Sequence, residues 1–268
     1  MSSATLTELE ARYQFACEVA RAAGSRAMSW YQQRNQLVAE YKKDLQDLVS
    51  EADRNVEELI RHLILERFPE DAVIGEESGG DAGQARFIWV VDPIDGTSNF
   101  LSGLHNWCVA LAIVCEGEPV IGVVCDPNHH EIFHACRGKG AWMNEQRIRA
   151  HSAGQLSQGL FGLGCSTSQP AAPLLDFMSA LLLQGGMFIR NGSGALMSAW
   201  AAAGRLTGYY EARMQPWDGL PGIVLMREAG GETNRYEQNN GLTQGNPVLL
   251  ANATLWPQIN ALLAEPLT

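Results

Sequence analysis

Two carboxylates separated by a proline and an isoleucine carry the first chemical signal in this chain. In Asp92-Pro93-Ile94-Asp95-Gly96-Thr97 they directly follow the apolar run Trp89-Val90-Val91. A loop at the end of a buried strand is where scaffolds place reactive groups. The proline restrains the backbone into a turn between the two acids, so that Ile94 presents its carbonyl rather than its side chain. Gly96 permits close approach of the backbone, and Thr97-Ser98-Asn99 can start a helix whose free N–H groups suit an anion. Hard oxygen ligands beside a phosphate cradle fit Mg²⁺, which favours carboxylates plus substrate phosphate over a complete protein cage. The same composition also makes a good turn, so by itself the segment leaves both readings open.

Two more acidic segments occupy similar places. Gly75-Glu76-Glu77-Ser78 follows Ala72-Val73-Ile74, and Pro216-Trp217-Asp218-Gly219 opens a long apolar segment. A single Glu is usually a solvated surface acid, and an Asp at a helix start is favoured by the helix dipole alone. The three segments together point to a divalent-cation site. A haloacid-dehalogenase type loop is rejected, because its two aspartates stand two residues apart in D-x-D whereas Asp92 and Asp95 stand three apart.

These loops need elements to hold them. Leu9, Tyr13, Ala16, Ala20, Ala23 and Ala27 recur at helical spacing, in a helix that Gly24 weakens slightly. Val56, Leu59, Ile60, Leu63 and Ile64 mark a second helix, with Ser50 as its cap and a stop near Pro69. Short β-rich runs follow at 72–74, 87–91, 107–115, 120–125 and 131–136, with 116–119 as a hairpin connection. They predict a largely antiparallel sheet. The second half alternates: strands at 160–164, 187–190, 208–211 and 248–251, and helices at 173–183, 193–203 and 217–229, with 254–263 closing the chain. Ser193 caps one helix, Gly204 ends it, and Gly230-Gly231 closes the next. The pattern is α+β, with stacked helix and sheet layers.

The chain has 268 residues, 46% of them apolar, which predicts one compact unit with two lobes. The first, 1–150, is an N-terminal α+β lobe with most of the metal ligands; the second, 151–268, is a C-terminal α/β lobe with Asp218 and the substrate contacts. Acidic residues number 30 against 19 basic ones, and a net charge of -11 argues against direct binding to nucleic acid. It does not oppose a small anionic substrate, since a bound cation inverts the local field. The six cysteines form no C-x-x-C pair and read as reduced, mostly buried thiols. No leader-like start and no membrane-spanning apolar run appears, which predicts a cytoplasmic protein with no membrane partner. His129-His130 follows the turn Asp126-Pro127-Asn128 and reads as a surface hairpin rather than a metal pair; the seven tryptophans read as core and interface anchors.

In its motifs the chain resembles the inositol monophosphatase family of lithium-sensitive, metal-dependent phosphatases. The family pattern W-[IV]-[IV]-D-P-[IL]-D-G-T-x-N-F stands complete at Trp89 to Phe100, G-E-E-S at Gly75 to Ser78, W-D at Trp217-Asp218, and D-x-V-[ST]-x-x-D at Asp47 to Asp53. The resemblance implies a layered αβαβα sandwich of the sugar-phosphatase type and a homodimer. It implies that Glu76, Asp92, the Ile94 carbonyl, Asp95 and Asp218 bind two or three Mg²⁺ ions. Gly96 and Thr97, with Asp95 beside them, would hold the phosphate; Thr97, oriented by Asp53, would help Glu76 activate water. Lys42 would lie at the outer rim, and Gly192, Ser193, Gly194 and Glu211 would face the alcohol. The chain departs from the family at Gly219 and Pro221, where W-D-x-A-A-G is common, with Pro221 expected in a first helical turn. It departs again at Leu101 to Asn106, where relatives commonly carry a His-rich or Phe-Pro segment.

The implied reaction is hydrolysis of a small polyol or sugar phosphate monoester, with myo-inositol 1-phosphate as first substrate. A divalent cation acidifies water and meets the charge of the transferring phosphoryl group. Histidinol-phosphate phosphatase, and bisphosphate nucleotidase or fructose bisphosphatase, are alternatives that the shared metal core does not separate. A further alternative, a regulatory protein-binding role beside an incidental phosphatase site, follows from bacterial relatives that partner the transcription machinery.

Overall fold

Alanine brings the first helix close to the sheet beneath it. In the computed structural model, which describes residues 3–38, 40–41, 48–165 and 169–268, helix α1 (Ser3–Gln32) buries Leu9, Ala16, Ala20, Ala23 and Ala27. At Gly24 a Cβ would stand 3.0 Å from Cys125 Sγ, so this glycine is a point of helix–strand contact as well as a helix weakness. Strands β1 (Glu40–Tyr41) and β2 (Leu48–Val49) form an antiparallel pair. Helix α2 (Glu51–Arg67) starts at Ser50, whose hydroxyl accepts from Ala52 N, and stops at Phe68 just before Pro69.

Seven strands then pair in chain order: β3 (Ala72–Gly75), β4 (Phe87–Asp95), β5 (Cys108–Cys115), β6 (Glu118–Asp126), β7 (Glu131–Cys136), β8 (Ala141–Met143) and β9 (Gln146–Ile148). Helix α3 (Thr97–Ser102) lies between β4 and β5. The β3–β4 pair is parallel and the others are antiparallel, as the sequence pattern suggests. Strands β8 and β9 have three residues each, too few for a period-two signal, and the sequence reading misses them. Side chains alternate across β4: Trp89 and Val91 join the core under α1 and α2, and Val90 joins the core on the opposite face.

The rest of the chain builds a second sheet. Its elements are β10 (Leu160–Leu163), α4 (Ala171–Leu183), β11 (Met187–Ile189), α5 (Gly194–Ala202), β12 (Gly208–Met214), α6 (Pro216–Glu228), β13 (Glu232–Thr233), α7 (Gly241–Gln244), β14 (Asn246–Ala251) and α8 (Trp256–Asn260). The strand order is β11-β10-β12-β14-β13. Helices α5 and α6 lie between the sheets: Leu196, Ala199, Ile223 and Val224 share one core with Val90 and Ala110 on one side and Tyr209, Val248 and Leu250 on the other. Phe177 and Leu181 of α4 and Ile259 of α8 cover the outer face through Phe161, Tyr210 and Leu249. The layers therefore run α1/α2, seven strands, α5/α6, five strands, α4/α8, which is the expected αβαβα sandwich.

Two local expectations need correction. No tight turn separates Asp92 from Asp95; β4 runs on through Pro93 as an irregularity in its pairing with β5, from Asp92 opposite Ala110 to Asp95 opposite Cys108. A bulge accommodates the proline because its missing N–H is not needed in the ladder there. Pro221 does not fall in the first turn of its helix, because α6 already starts at Pro216. It sits a turn further in, where it withholds the N–H that the Trp217 carbonyl would otherwise accept. Its own carbonyl packs against β6 at Gly122, where a Cβ would come within 2.5 Å of it. Gly222 allows the α5–α6 crossing, since a Cβ there would stand 2.3 Å from Ser198 Cβ.

Candidate metal and phosphate site

Three elements bring Glu76, Asp92 and Asp218 together. Glu76 directly follows β3, Asp92 lies near the end of β4, and Asp218 occupies the first turn of α6. One carboxylate oxygen from each lies within 4.8 Å of the others. Asp95 joins them from the end of β4: its charge raises the carboxyls of both Asp92 and Asp218. Burial first, then Glu76, Asp218 and Asp95, push the Asp92 carboxyl well above the usual range. Burial first, then Asp95 and Glu76, do the same to Asp218. Among the described residues, no Lys or Arg forms an ion pair with Asp92, Asp95 or Asp218. Buried carboxylates that repel one another without a protein counter-charge fit a bound cation.

Asp92, Asp95 and Glu76 are each held by a different device. The Asp92 Oδ1 accepts Ile94 N at 2.8 Å. The Asp95 Oδ2 accepts the Ser193 hydroxyl at 2.6 Å and Ala195 N at 2.7 Å, so Asp95 caps α5 with one oxygen. Its carboxyl is raised by burial and partly lowered again by these donors. Glu76 is placed by a residue the sequence reading passes over. Glu57, fully buried on α2, accepts Glu77 N at 2.7 Å and Ser78 N at 3.0 Å. Arg61 donates to the same carboxylate at 2.8 Å and also to the carbonyls of Val73 and Gly79. Gly75 leaves room for this arrangement, because a Cβ there would lie 2.4 Å from the Glu57 carboxyl carbon. The available signal was an acid on the apolar stripe of α2, three residues before Ile60 and four before Arg61.

Helix α3 begins immediately after the acidic segment. Gly96 caps it with φ at 95°, a conformation glycine adopts freely, and a Cβ there would stand 2.9 Å from the Asn106 carbonyl. Asn99 fixes the start of α3 by donating to the carbonyls of Asn106 at 2.6 Å and Asn191 at 2.8 Å. The Thr97 hydroxyl lies 3.0 Å from Asp53 Oδ1 and 3.0 Å from the Ile94 carbonyl. Its single proton serves one of them at a time. The other oxygen of Asp53 accepts Ser50 N at 2.8 Å and Ser50 Oγ at 2.7 Å, a capping box turned to a second use. The Ile94 side chain is buried.

On the far side of Asp95 lies a cavity of about 120 Å³ lined by Asp95, Arg190, Ser193, Gly194, Glu211 and Asp218, among others. Gly192 also lines it, with φ at 91°. The structure thus brings Glu76, Asp92, Asp95, Asp218, Thr97 and Asp53 to one place, with Gly192, Ser193, Gly194 and Glu211 at the adjoining cavity. Lys42 and Asp47 lie outside the described residues. The loop after α3 meets the start of that helix at Asn106, while its Leu104 carbonyl accepts Tyr31 Oη and its His105 carbonyl accepts Asn128 Nδ2. His129 is held by Asp126 through Nδ1 at 2.8 Å, in the turn between β6 and β7.

The profile of the inositol monophosphatase family matches residues 8–267. A protein named Nus factor SuhB from Xylella fastidiosa is 40% identical over 192 residues, 71% of this chain and 70% of its own. The extragenic suppressor protein suhB of Bartonella henselae superposes with a TM-score of 0.89 at 29% identity, covering 95% of this chain and 98% of that one. A Thermotoga maritima IMPase does so with a TM-score of 0.82 at 28% identity, covering 94% and 96%. The complete phosphatase motif, the sandwich that carries it and a match spanning nearly every residue agree: the chain belongs to the inositol monophosphatase family.

Proposed function

We propose that the chain hydrolyses the phosphate monoester of a small polyol with divalent-cation assistance, myo-inositol 1-phosphate being the first substrate to test. The observation that carries this reading is the meeting of Glu76, Asp92 and Asp218 within 4.8 Å, without a protein counter-charge on Asp92 or Asp218 among the described residues. The donor set is all oxygen, which favours Mg²⁺ over softer metals. Glu76, Asp92, the Ile94 carbonyl, Asp95 and Asp218 would hold two or three ions. Such ions acidify water and offset charge on the transferring phosphoryl group.

The protein's own part follows from the hydrogen bonds. Asp95 keeps Oδ2 on the start of α5, which leaves Oδ1 for a cation. With the Ile94 carbonyl also given to a cation, the Thr97 proton rests on Asp53 Oδ1. The lone pairs of Thr97 Oγ1 then accept from the attacking water, and Glu76 supplies the second acceptor. The backbone N–H groups of Gly96 and Thr97 receive phosphate oxygens. Gly192, Ser193, Gly194 and Glu211 receive the departing alcohol. Phosphate release with Mg²⁺ tests this across polyol, sugar, histidinol and nucleoside bisphosphate substrates. No turnover of any polyol or sugar monophosphate would refute it, and preferred turnover of histidinol phosphate or a bisphosphate would move the substrate to those alternatives.

A second reading, a regulatory protein-binding role, is favoured by the identity to a protein named Nus factor SuhB. An Asp95→Asn chain that loses hydrolysis yet keeps its cellular role would support it. A homodimer fits the exposed apolar side chains of the second sheet: Leu160 and Met187 are paired neighbours on β10 and β11, and Leu175 and Leu182 lie on one stripe of α4. Light scattering at the monomer mass would exclude it. Among the described residues no helix is long and apolar enough to cross a membrane.

A further inference from the structure

The wall of the cavity beside Asp95 contains a buried pair. On β12, Tyr209 and Glu211 stand two residues apart and so share a face of the strand. The Tyr209 hydroxyl donates to Glu211 Oε2 at 2.5 Å. The Tyr209 ring is fully buried, while its oxygen reaches the cavity wall. Among the described residues Glu211 Oε1 accepts no hydrogen bond, and Glu211 lines the cavity.

Three glycines make the slot in which this pair lies. A Cβ at Gly164 would come within 2.1 Å of Glu211 Oε2 and 2.4 Å of Tyr209 Oη. A Cβ at Gly162 would stand 2.9 Å from Tyr209 Cδ2, and one at Gly194 would stand 3.2 Å from Tyr209 Oη. None of the three has a left-handed backbone, so their missing side chains provide space rather than conformational freedom. The chain therefore clears room on β10 and at the start of α5 for a particular placement of the phenol and the carboxylate. Burial lifts the Glu211 carboxyl to about 7, against which the Tyr209 hydroxyl acts as the principal lowering partner.

We propose that Tyr209 is a positioning residue for substrate choice: by holding Oε2 it aims Glu211 Oε1 into the cavity as an acceptor, and so selects a leaving alcohol that carries a second hydroxyl. This rests on the phosphatase reading above. A leaving group without such a hydroxyl gains nothing from the pair. A substrate that offers one loses its oriented acceptor when the phenol oxygen is removed.

The test compares the Mg²⁺-loaded wild-type chain with Tyr209→Phe, which keeps the buried ring. KM and kcat are measured for myo-inositol 1-phosphate and for p-nitrophenyl phosphate, whose leaving group has no second hydroxyl. The expected result is a KM for the polyol ester raised on the order of tenfold, kcat within about twofold, and p-nitrophenyl phosphate kinetics unchanged. Glu211→Gln should raise the same KM, and the double variant should add little to either single change. Equal losses on both substrates, or no change on either, would overturn the proposal. An arm independent of turnover follows the Glu211 carboxyl by ¹³C NMR: its titration midpoint should rise in Tyr209→Phe, and an unmoved midpoint counts against the positioning. If the wild-type chain hydrolyses neither ester, the phosphatase reading fails, and the NMR arm still decides whether Tyr209 controls Glu211.

Discussion

Glu57→Gln tests how the loop bearing Glu76 is held. The substitution keeps the shape of the side chain, but an amide offers one acceptor oxygen where the carboxylate offers two. Oε2 accepts Glu77 N, and Oε1 accepts both Ser78 N and Arg61 Nε. The less costly orientation places the new NH₂ at the Oε2 position, facing Glu77 N–H donor to donor. One hydrogen bond to a charged acceptor is then lost, and two others fall from charge-assisted to neutral strength. At about 1.5–3 kcal/mol for a bond to a charged acceptor and about 1 kcal/mol for a neutral one, the change sums to roughly 2.5–7 kcal/mol. In a chain of this size that is a fall of about 5–12 °C in Tm. Glu77 adjoins Glu76, so part of the loss must appear in cation affinity. If about 1.4 kcal/mol of it couples to the ion, half-saturation by Mg²⁺ rises tenfold. Thermal melts with and without Mg²⁺, and phosphate release against Mg²⁺ concentration, read both quantities. A Tm within about 2 °C of wild type, together with Mg²⁺ half-saturation within about twofold, would show that Glu57 does not hold this loop.

Four other outcomes are expected. Thr97→Val removes the hydroxyl between Asp53 and Ile94 and should lower kcat on the order of 100-fold while barely moving Mg²⁺ half-saturation; Thr97→Ser should recover most of the rate. Asp92→Asn relieves repulsion among buried carboxyls, so metal-free protein should melt higher than wild type while hydrolysis and the Mg²⁺-induced rise in Tm are lost. His134 is held neutral by burial, between Tyr13 Oη on Nδ1 and the Asn144 carbonyl on Nε2, and its folded pKa is lowered from 6.5. Its contribution to stability is therefore present above about pH 6.5 and lost as pH falls toward the lower folded value; a pH series of melts on wild type and His134→Gln should show this acid-side loss only in wild type. Of the six cysteines Cys165 alone is exposed, so a thiol reagent should label one site per native chain, and all six after denaturation.

What the sequence discloses and what it hides divide along physical lines. The alternating runs of the first sheet and the apolar stripes of α1 and α2 are legible because burial on one face imposes a period. Asp92, Asp95 and Asp218 are legible because each ends or opens an apolar element, where a charge stands out. Strands β8 and β9 are too short to show a period, and the Trp-Asp motif suggests a helix start later than Pro216, where α6 begins. The bulge at Pro93 hides in a composition that tight turns share. Glu57 and Tyr209 hide for another reason: their partners are 20 residues away in one case and two in the other, but both matter through the space glycines leave around them.

That use of glycine separates the two halves of the site. Around the acids, Gly75 makes room for the carboxylate that anchors the Glu76 loop, and Gly96 alone is tied to the backbone path, taking a left-handed turn into α3. On the proposed reading these constraints would serve any phosphate ester, because they bear on the cation ligands and phosphate donors only. Around the cavity, Gly162, Gly164 and Gly194 have ordinary backbones and are shaped to the Tyr209–Glu211 pair. An Ala at Gly164 would need that pair to move, since its Cβ would overlap both oxygens, but it would leave the acidic cluster with all its ligands. On the proposed reading, hydrolysis and the choice of alcohol would rest on different residues, joined at Asp95, whose Oδ2 accepts at the start of α5 and whose Oδ1 would serve the cation.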